Sequence, residues 1–356
     1  KHTPQPVIVS LDLNTGTTIE IVKPITSAFE FLSFQPNETD NSVIVALRIN
    51  RKKQLPEVLI YTTTSSGEIH HRASFEGDKE KELINGRLYA VNIRDIIFCG
   101  TYQKTGGKKS KSNQNKSHGL FFARFSEGGD SIISYHDFNN FPNFSNAIKQ
   151  RYEKRSVLEK GDVKEIDIAY QIFLHNTIKE VDGNFIVAGE AFYPEYEYQP
   201  GRGVSPKYYG MNYGYHYYYQ PESRWVFKGF RYTHAILAMF NKSGALLWEN
   251  SISTSNILSM KLEEKANIIE DEEATAMVYA HDGTIHAKIF SSDYSSSIQE
   301  SFEPDLLYPE DKVTVNFFTQ IKPWYNNYLL LYGKQEIKNR SGKNRTVFYV
   351  SKVAFE

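Results

Sequence analysis

The sequence predicts an all-β fold, a β-propeller of five or six irregular four-stranded blades, on three observations. A Gly-centred hairpin pattern recurs along the chain, and long apolar runs of strand length lie upstream of these hairpins. The composition is that of pleated surface: 14% of the 356 residues are aromatic, with 24 Tyr and 23 Phe, residue types that pack well on half-buried sheets. The recurring pattern is an alternating apolar run, a turn with Gly, and a second alternating run. It appears in VIVSLDLNTGTTIEIV (7–22), VLIYTTTSSGEIHHRASF (58–75), GLFFARFSEGGDSIISYHDF (119–138) and AILAMFNKSGALLWENSI (235–252). Gly16, Gly67, Gly128 and Gly244 can supply the positive φ that a short hairpin loop needs, and period-2 apolar residues give each strand one buried face.

The upstream runs are SVIVALRI (42–49), DIIFCGTYQ (95–103), NFIVAGEAFY (184–193) and NYLLLYGKQ (327–335). Near-continuous apolar runs of this length mean strands covered on both faces. First strands precede several of them: LYAVNI (88–93), QIFLHNTIKEV (171–181) and VTVNFFTQI (313–321). Units therefore fall near 28–76, 85–138, 171–254, 264–302 and 313–356. A unit of about four antiparallel strands, repeated with uneven spacing, is the pattern of a propeller blade. The 264–302 unit is the weakest, with one clear hairpin at Asp282-Gly283, a type I′ signal. The amino-terminal hairpin has no unit of its own, and RTVFYVSKVAFE (345–356) is a strand with nothing after it. Pairing the N- and C-terminal strands would close the ring and remove two open edges. The competing arrangement is two β-sandwiches, since strand counts alone do not separate stacked sheets from radial ones. The expected organisation is a single propeller domain over 1–356, with insertions at 104–119, 139–170 and 190–232.

Each insertion has its own chemistry. KTGGKKSKSNQNKSHG (104–119) is polar and carries five lysines without an apolar anchor, which reads as a solvated loop. In 139–170 the period changes: Ser145 or Asn146 can cap a helix, Ile148, Tyr152 and Leu158 lie in a broad apolar stripe, and Gly161 suits the C′ position, so a helix is expected over about 145–160. The third, 190–232, holds eleven of the 24 tyrosines, with Trp225, His216, Arg202, Arg224 and Arg231. Pro194, Pro200, Pro206 and Pro221 are expected to break any regular element there, leaving a long excursion with its own aromatic packing. Tyr joins a flat apolar face to a polar tip with few torsions to freeze, which makes it effective at contact surfaces. The bland reading is that these tyrosines seal the loop onto its blade.

The net charge of −1 gives no field to hold a phosphate backbone, so nucleic acid is not expected as a partner. No apolar run approaches the roughly 20 residues that cross a bilayer as a helix. Cys99 is the single cysteine, in apolar DIIFCGTY, which excludes intrachain disulfides and Cys-rich metal sites and points to a buried inert thiol. There is no nucleophile elbow, phosphate loop, His-Glu-x-x-His or dinucleotide fingerprint. His70 and His71 point to opposite faces of a strand. His281 and His286 flank a hairpin without a third ligand. The DLNTGTT stretch (12–18) lacks a twelfth-position carboxylate for calcium, and EDEEAT (270–275) reads as a solvated edge. No cofactor, metal or catalytic residue is expected.

GFRYTHAILAMFNKSGALLWENS (229–251) resembles a motif of uncharacterised exported Bacteroidota proteins, in which a Tyr- and Pro-rich segment precedes RYTHAI and a Gly-x-Leu-Leu-Trp hairpin follows. The likeness covers about 184–251. It implies the periplasm or outer-membrane surface and carries no catalytic residue. A start at KHTPQPVIVS, without Met or apolar leader, fits either a mature exported protein or a trimmed piece. The expected function is a non-catalytic protein-binding or scaffold propeller of the cell envelope, with Tyr208, Tyr209, Tyr213, Tyr215, Tyr217, Tyr218, Tyr219, Arg224 and Trp225 as the partner-binding surface. The alternative is a carbohydrate-binding or carbohydrate-active module, stacking sugars on these rings with Glu190, Glu195, Glu197 or Glu222 nearby.

Overall fold

The computed structural model describes residues 9–11, 14–20, 28–37, 42–50, 56–64, 66, 68–92, 94–105, 116–126, 131–148, 169–176, 178–200, 224–254, 257–270, 274–291, 293–325 and 327–354. In sequence order its strands form a ribbon and five sheets. The ribbon is β1 (Val9–Leu11) with β2 (Thr18–Glu20). The first sheet is β3 (Ala28–Asn37), β4 (Ser42–Asn50), β5 (Glu57–Thr64) and β6 (Ile69–Glu76). The second is β7 (Lys81–Asn92), β8 (Asp95–Lys104), β9 (Gly119–Phe125) and β10 (Ser131–Asp137). The third is β11 (Gln171–Leu174), β12 (Lys179–Val181), β13 (Asn184–Gln199), β14 (Arg224–Phe240), β15 (Leu246–Ser253) and β16 (Leu258–Ser259). The fourth is β17 (Asn267–Glu270), β18 (Ala274–His281), β19 (Thr284–Ser291) and β20 (Ser297–Phe302). The fifth is β21 (Lys312–Pro323), β22 (Tyr328–Lys338) and β23 (Asn344–Ala354).

Alternate residues of the central strands face opposite neighbours, which separates radial from sandwich packing. In the second sheet, Ile96, Phe98, Phe121 and Ala123 pack on the first sheet, while Ile97, Cys99, Leu120 and Phe122 pack on the third. The third sheet repeats this: Phe185, Val187, Ala238 and Phe240 face the second, and Ile186, Ala188, Leu237 and Met239 face the fourth. Met277, Tyr279 and Phe290 of the fourth return that contact, and Ala276, Val278 and Ile285 meet Ile321, Leu329 and Leu331 of the fifth. A sandwich would leave each sheet a solvated outer face; here three successive sheets are dry on both. β3 of the first sheet meets β7 of the second, and β21 of the fifth meets β17 and β18 of the fourth. The chain is a β-propeller, and these five sheets are its described blades. Burying each Phe contributes about 1.5–3 kcal/mol, and the Phe122–Phe240 ring contact at 5.5 Å ties the second blade to the third.

The turns follow the sequence logic where they are described. Asp282 (φ 50°) and Gly283 (φ 84°) both adopt the left-handed conformation of a type I′ turn, and the 264–302 unit is a full four-stranded blade. Gly67 and Gly128 lie outside the described residues. Two expectations change. Among the described residues β1 and β2 pair only with each other, so the pairing of chain ends that would close the ring is not among the strand pairs. The insertion helix begins earlier, over 142–148, with Ser145 inside it. Pro142 suits a first turn because it has no N–H to satisfy, and the cap comes from another blade: Glu249 of β15 accepts from Asn143 N at 2.6 Å and Phe144 N at 3.3 Å. Burial raises the Glu249 carboxyl above its ordinary range. Phe141, Phe144 and Ile148 turn into the core. Tyr152, Leu158 and Gly161 lie outside the described residues. No helix among the described residues is long and apolar enough to cross a membrane.

Candidate functional site

The predicted excursion is in part regular structure. β13 runs unbroken through Pro194 to Gln199, and β14 pairs with it from Arg224, so the third blade carries a two-stranded arm. Pro194 breaks nothing because β13 has by then left β11, whose last partner is Phe192; a missing N–H is tolerated on a strand with a free edge. Two bulges on β14, at Thr233 and Lys228, interrupt the register and add local twist. At the root Gly229 adopts φ +140°, and a Cβ there would lie 2.8 Å from the Ser259 carbonyl oxygen. This is where β16 adds beside Phe230 and Arg231.

Period-2 alternation gives the arm two unlike faces. One is an aromatic ladder, with ring centroids 5.6 Å apart for Phe192–Phe230, 5.0 Å for Phe227–Phe230, 5.5 Å for Tyr196–Phe227 and 5.4 Å for Tyr198–Trp225. Its outer half is open: Tyr196 is 53%, Tyr198 51% and Trp225 68% exposed. The other face is ionic. Arg231 binds Glu195 through both oxygens, one contact being 2.7 Å, and Lys228 meets Glu197 at 2.8 Å. Arg231 holds the Glu195 carboxyl below its usual range, and Glu197 holds the Lys228 ammonium above its own. Arg224 and Trp225 stand at the end of the described arm, paired with Gln199 and Tyr198. Tyr208, Tyr209, Tyr213, Tyr215, Tyr217, Tyr218 and Tyr219 lie outside the described residues.

The carboxylates expected beside these rings do not gather there. Glu190, within β13, is fully buried; its Oε1 accepts from Lys265 N (2.7 Å) and Ala266 N (3.0 Å) and bonds His175 Nε2 (2.9 Å). Its Oε2 has no partner among the described residues. Glu222 lies outside them. Cys99 is buried as expected, and burial drives its thiol far above the ordinary value. Among the described residues no three His, Cys, Asp or Glu side chains converge as metal ligands.

Sequence reasoning missed a cavity of about 390 Å³ at the arm's root. Its walls are the 257–265 segment leaving β16, the β18–β19 turn at Ala280–Asp282, and β21 from Asn316 to Lys322. The first wall is anchored by Glu190 and by Tyr232, whose hydroxyl donates to the Glu263 carbonyl and accepts from Glu263 N, both at 2.9 Å; burial pushes the Tyr232 hydroxyl up to about 12. Glu264 accepts from Asn176 N at 2.7 Å. Lys265 pairs with Glu263 at 2.5 Å. Burial lowers the His281 imidazole, with Asp282 opposing, so it is neutral at neutral pH.

No family model matches the chain, and no curated protein matches it. Among solved structures it is similar to a point mutant of the Synechocystis apocarotenoid oxygenase, with TM-score 0.34 and 8% identity over 98% of this chain and 70% of that one. It is similar also to the subtype N11 neuraminidase-like protein of A/flat-faced bat/Peru, with TM-score 0.28 and 7% identity over 99% and 70%. At such scores the likenesses say nothing of chemistry, and the propeller assignment rests on the face-by-face packing of the sheets.

Proposed function

We propose that this chain is a non-catalytic binding propeller of the bacterial cell envelope, which holds a protein partner on the aromatic face of its arm and on the Tyr-rich tract that the arm carries. The observation behind this reading is the arm's asymmetry. Three large rings stand half or more exposed on one side, while the other side carries the Arg231–Glu195 and Lys228–Glu197 ion pairs. Exposed aromatics on a stiff two-stranded support give contact area at little entropic cost, the composition of binding hot spots. The carbohydrate alternative at this place is weaker. Glu195 and Glu197 are engaged by Arg231 and Lys228 on the opposite face, and Glu190 is interior, so no carboxylate pair flanks the rings.

Replacing Tyr196, Tyr198 and Trp225 together by Ala tests the reading in a pull-down from native envelope membranes. Recovery of the partner is expected to fall at least tenfold, since a single hot-spot truncation costs about 2 kcal/mol or more. Equal recovery by the intact and triple-Ala proteins would refute it.

A further inference from the structure

We propose that the cavity at the arm's root is a separate binding site for a neutral saccharide. Its volume of about 390 Å³ falls at the small end of the roughly 300–1,000 Å³ of small-ligand sites, which suits a mono- or disaccharide. Its lining carboxylates outnumber its ammonium groups, Glu263, Glu264 and Asp282 against Lys265 and Lys322, which disfavours an anion. Lys265 is already committed to Glu263 at 2.5 Å, and Lys322 donates to the Glu264 backbone carbonyl at 3.5 Å.

The groups left over are of mixed sense. Gln320 lines the cavity, and its side-chain oxygen accepts from Tyr332 Oη at 2.5 Å, which leaves its amide hydrogens as the free donors of that side chain. Asn316 donates to the Asp282 backbone carbonyl at 3.0 Å and so holds the β18–β19 turn against β21. The Asp282 carboxylate accepts, and the neutral His281 ring both donates and accepts. Neighbouring hydroxyls of a sugar each give and take a hydrogen bond, so planar amides, a carboxylate and an imidazole satisfy them together. Phe317, among the lining residues and 53% exposed, carries Lys334 Nζ over its ring at 5.2 Å, which leaves the other ring face for the C–H side of a sugar ring. The site is held rigid from behind, because Glu190 and Tyr232 pin the 263–266 backbone to the third blade.

The test is saturation-transfer NMR on the full chain with a panel of neutral hexoses, their N-acetylated forms and their disaccharides at millimolar concentration, followed by titration of the strongest responder. At least one is expected to bind, about tenfold more weakly to Asp282→Asn and to Phe317→Ala. Both positions are exposed, and Asn keeps the left-handed turn, so both variants are expected to melt like the parent. A hexuronate should bind more weakly than the parent hexose, and Trp225→Ala should leave the affinity unchanged. The proposal is overturned if no sugar in the panel gives transfer, if affinity survives both cavity variants, if the hexuronate binds more tightly, or if Trp225→Ala abolishes binding. These outcomes are independent of partner capture by the arm.

Discussion

Glu190 sits within an apolar strand, out of reach of solvent, and its carboxylate joins His175 to two backbone N–H groups of the next blade's entry segment. Removing it leaves three buried donors without an acceptor. Glu190→Ala is therefore expected to lower the unfolding free energy, at about 1–3 kcal/mol for each buried donor left unpaired, with Glu190→Gln losing less because one acceptor remains. Urea denaturation measures this, and an unchanged midpoint at constant slope would contradict it. A second residue-scale consequence concerns pH. His136 bonds the Gly244 carbonyl through Nε2 at 2.8 Å, and burial lowers its imidazole below the ordinary value, as it does for His281 and His286. The unfolded chain then takes up protons more readily than the folded one. Stability is present above the unfolded value of about 6.5 and is lost as pH falls through the lowered folded values. The melting temperature is expected to drop between pH 7.5 and 5.5, and His136→Gln, which can still donate to Gly244, to flatten part of that slope. A flat parent profile would count against it. NFIVAGEAFY already marks Glu190: a carboxylate in a run covered on both faces must be paired.

The blade hairpins were legible because their signals are local. Gly16 (φ 70°), Gly244 (φ 78°) and the Asp282-Gly283 turn are positions where the sequence names the backbone conformation. The arm was less legible although its alternation is plain, aromatic at Phe192, Tyr196 and Tyr198 and acidic at Glu195 and Glu197. Pro194 was given the weight of a strand breaker, and a free edge removes that penalty. The helix start failed for a different reason, since its cap, Glu249, lies 106 residues from Asn143 in sequence. The cavity was illegible for the same reason: its walls come from three segments that only the stacking of the third, fourth and fifth sheets brings together. The exposed position of Tyr196, Tyr198 and Trp225 means that the triple-Ala protein should keep the parent's melting curve, so any loss of partner belongs to the arm's surface and not to its fold.

For the molecule as a whole, serial packing gives each inner blade two dry faces and leaves the outermost sheets different. Phe31 and Phe34 of the first sheet and Phe348 and Val350 of the fifth remain exposed. The third blade supports the arm, because β13 and β14 are its central strands before they leave it. A partner held there meets one face of a fixed support. The central claim is that only the aromatic face is used, and the most direct measurement is site-specific photocrosslinking in native membranes from position 198 on that face and position 197 on the ion-paired face. The expected result is a discrete protein adduct from position 198 and none from 197. Equal adducts from both positions, or none from either, would contradict the account.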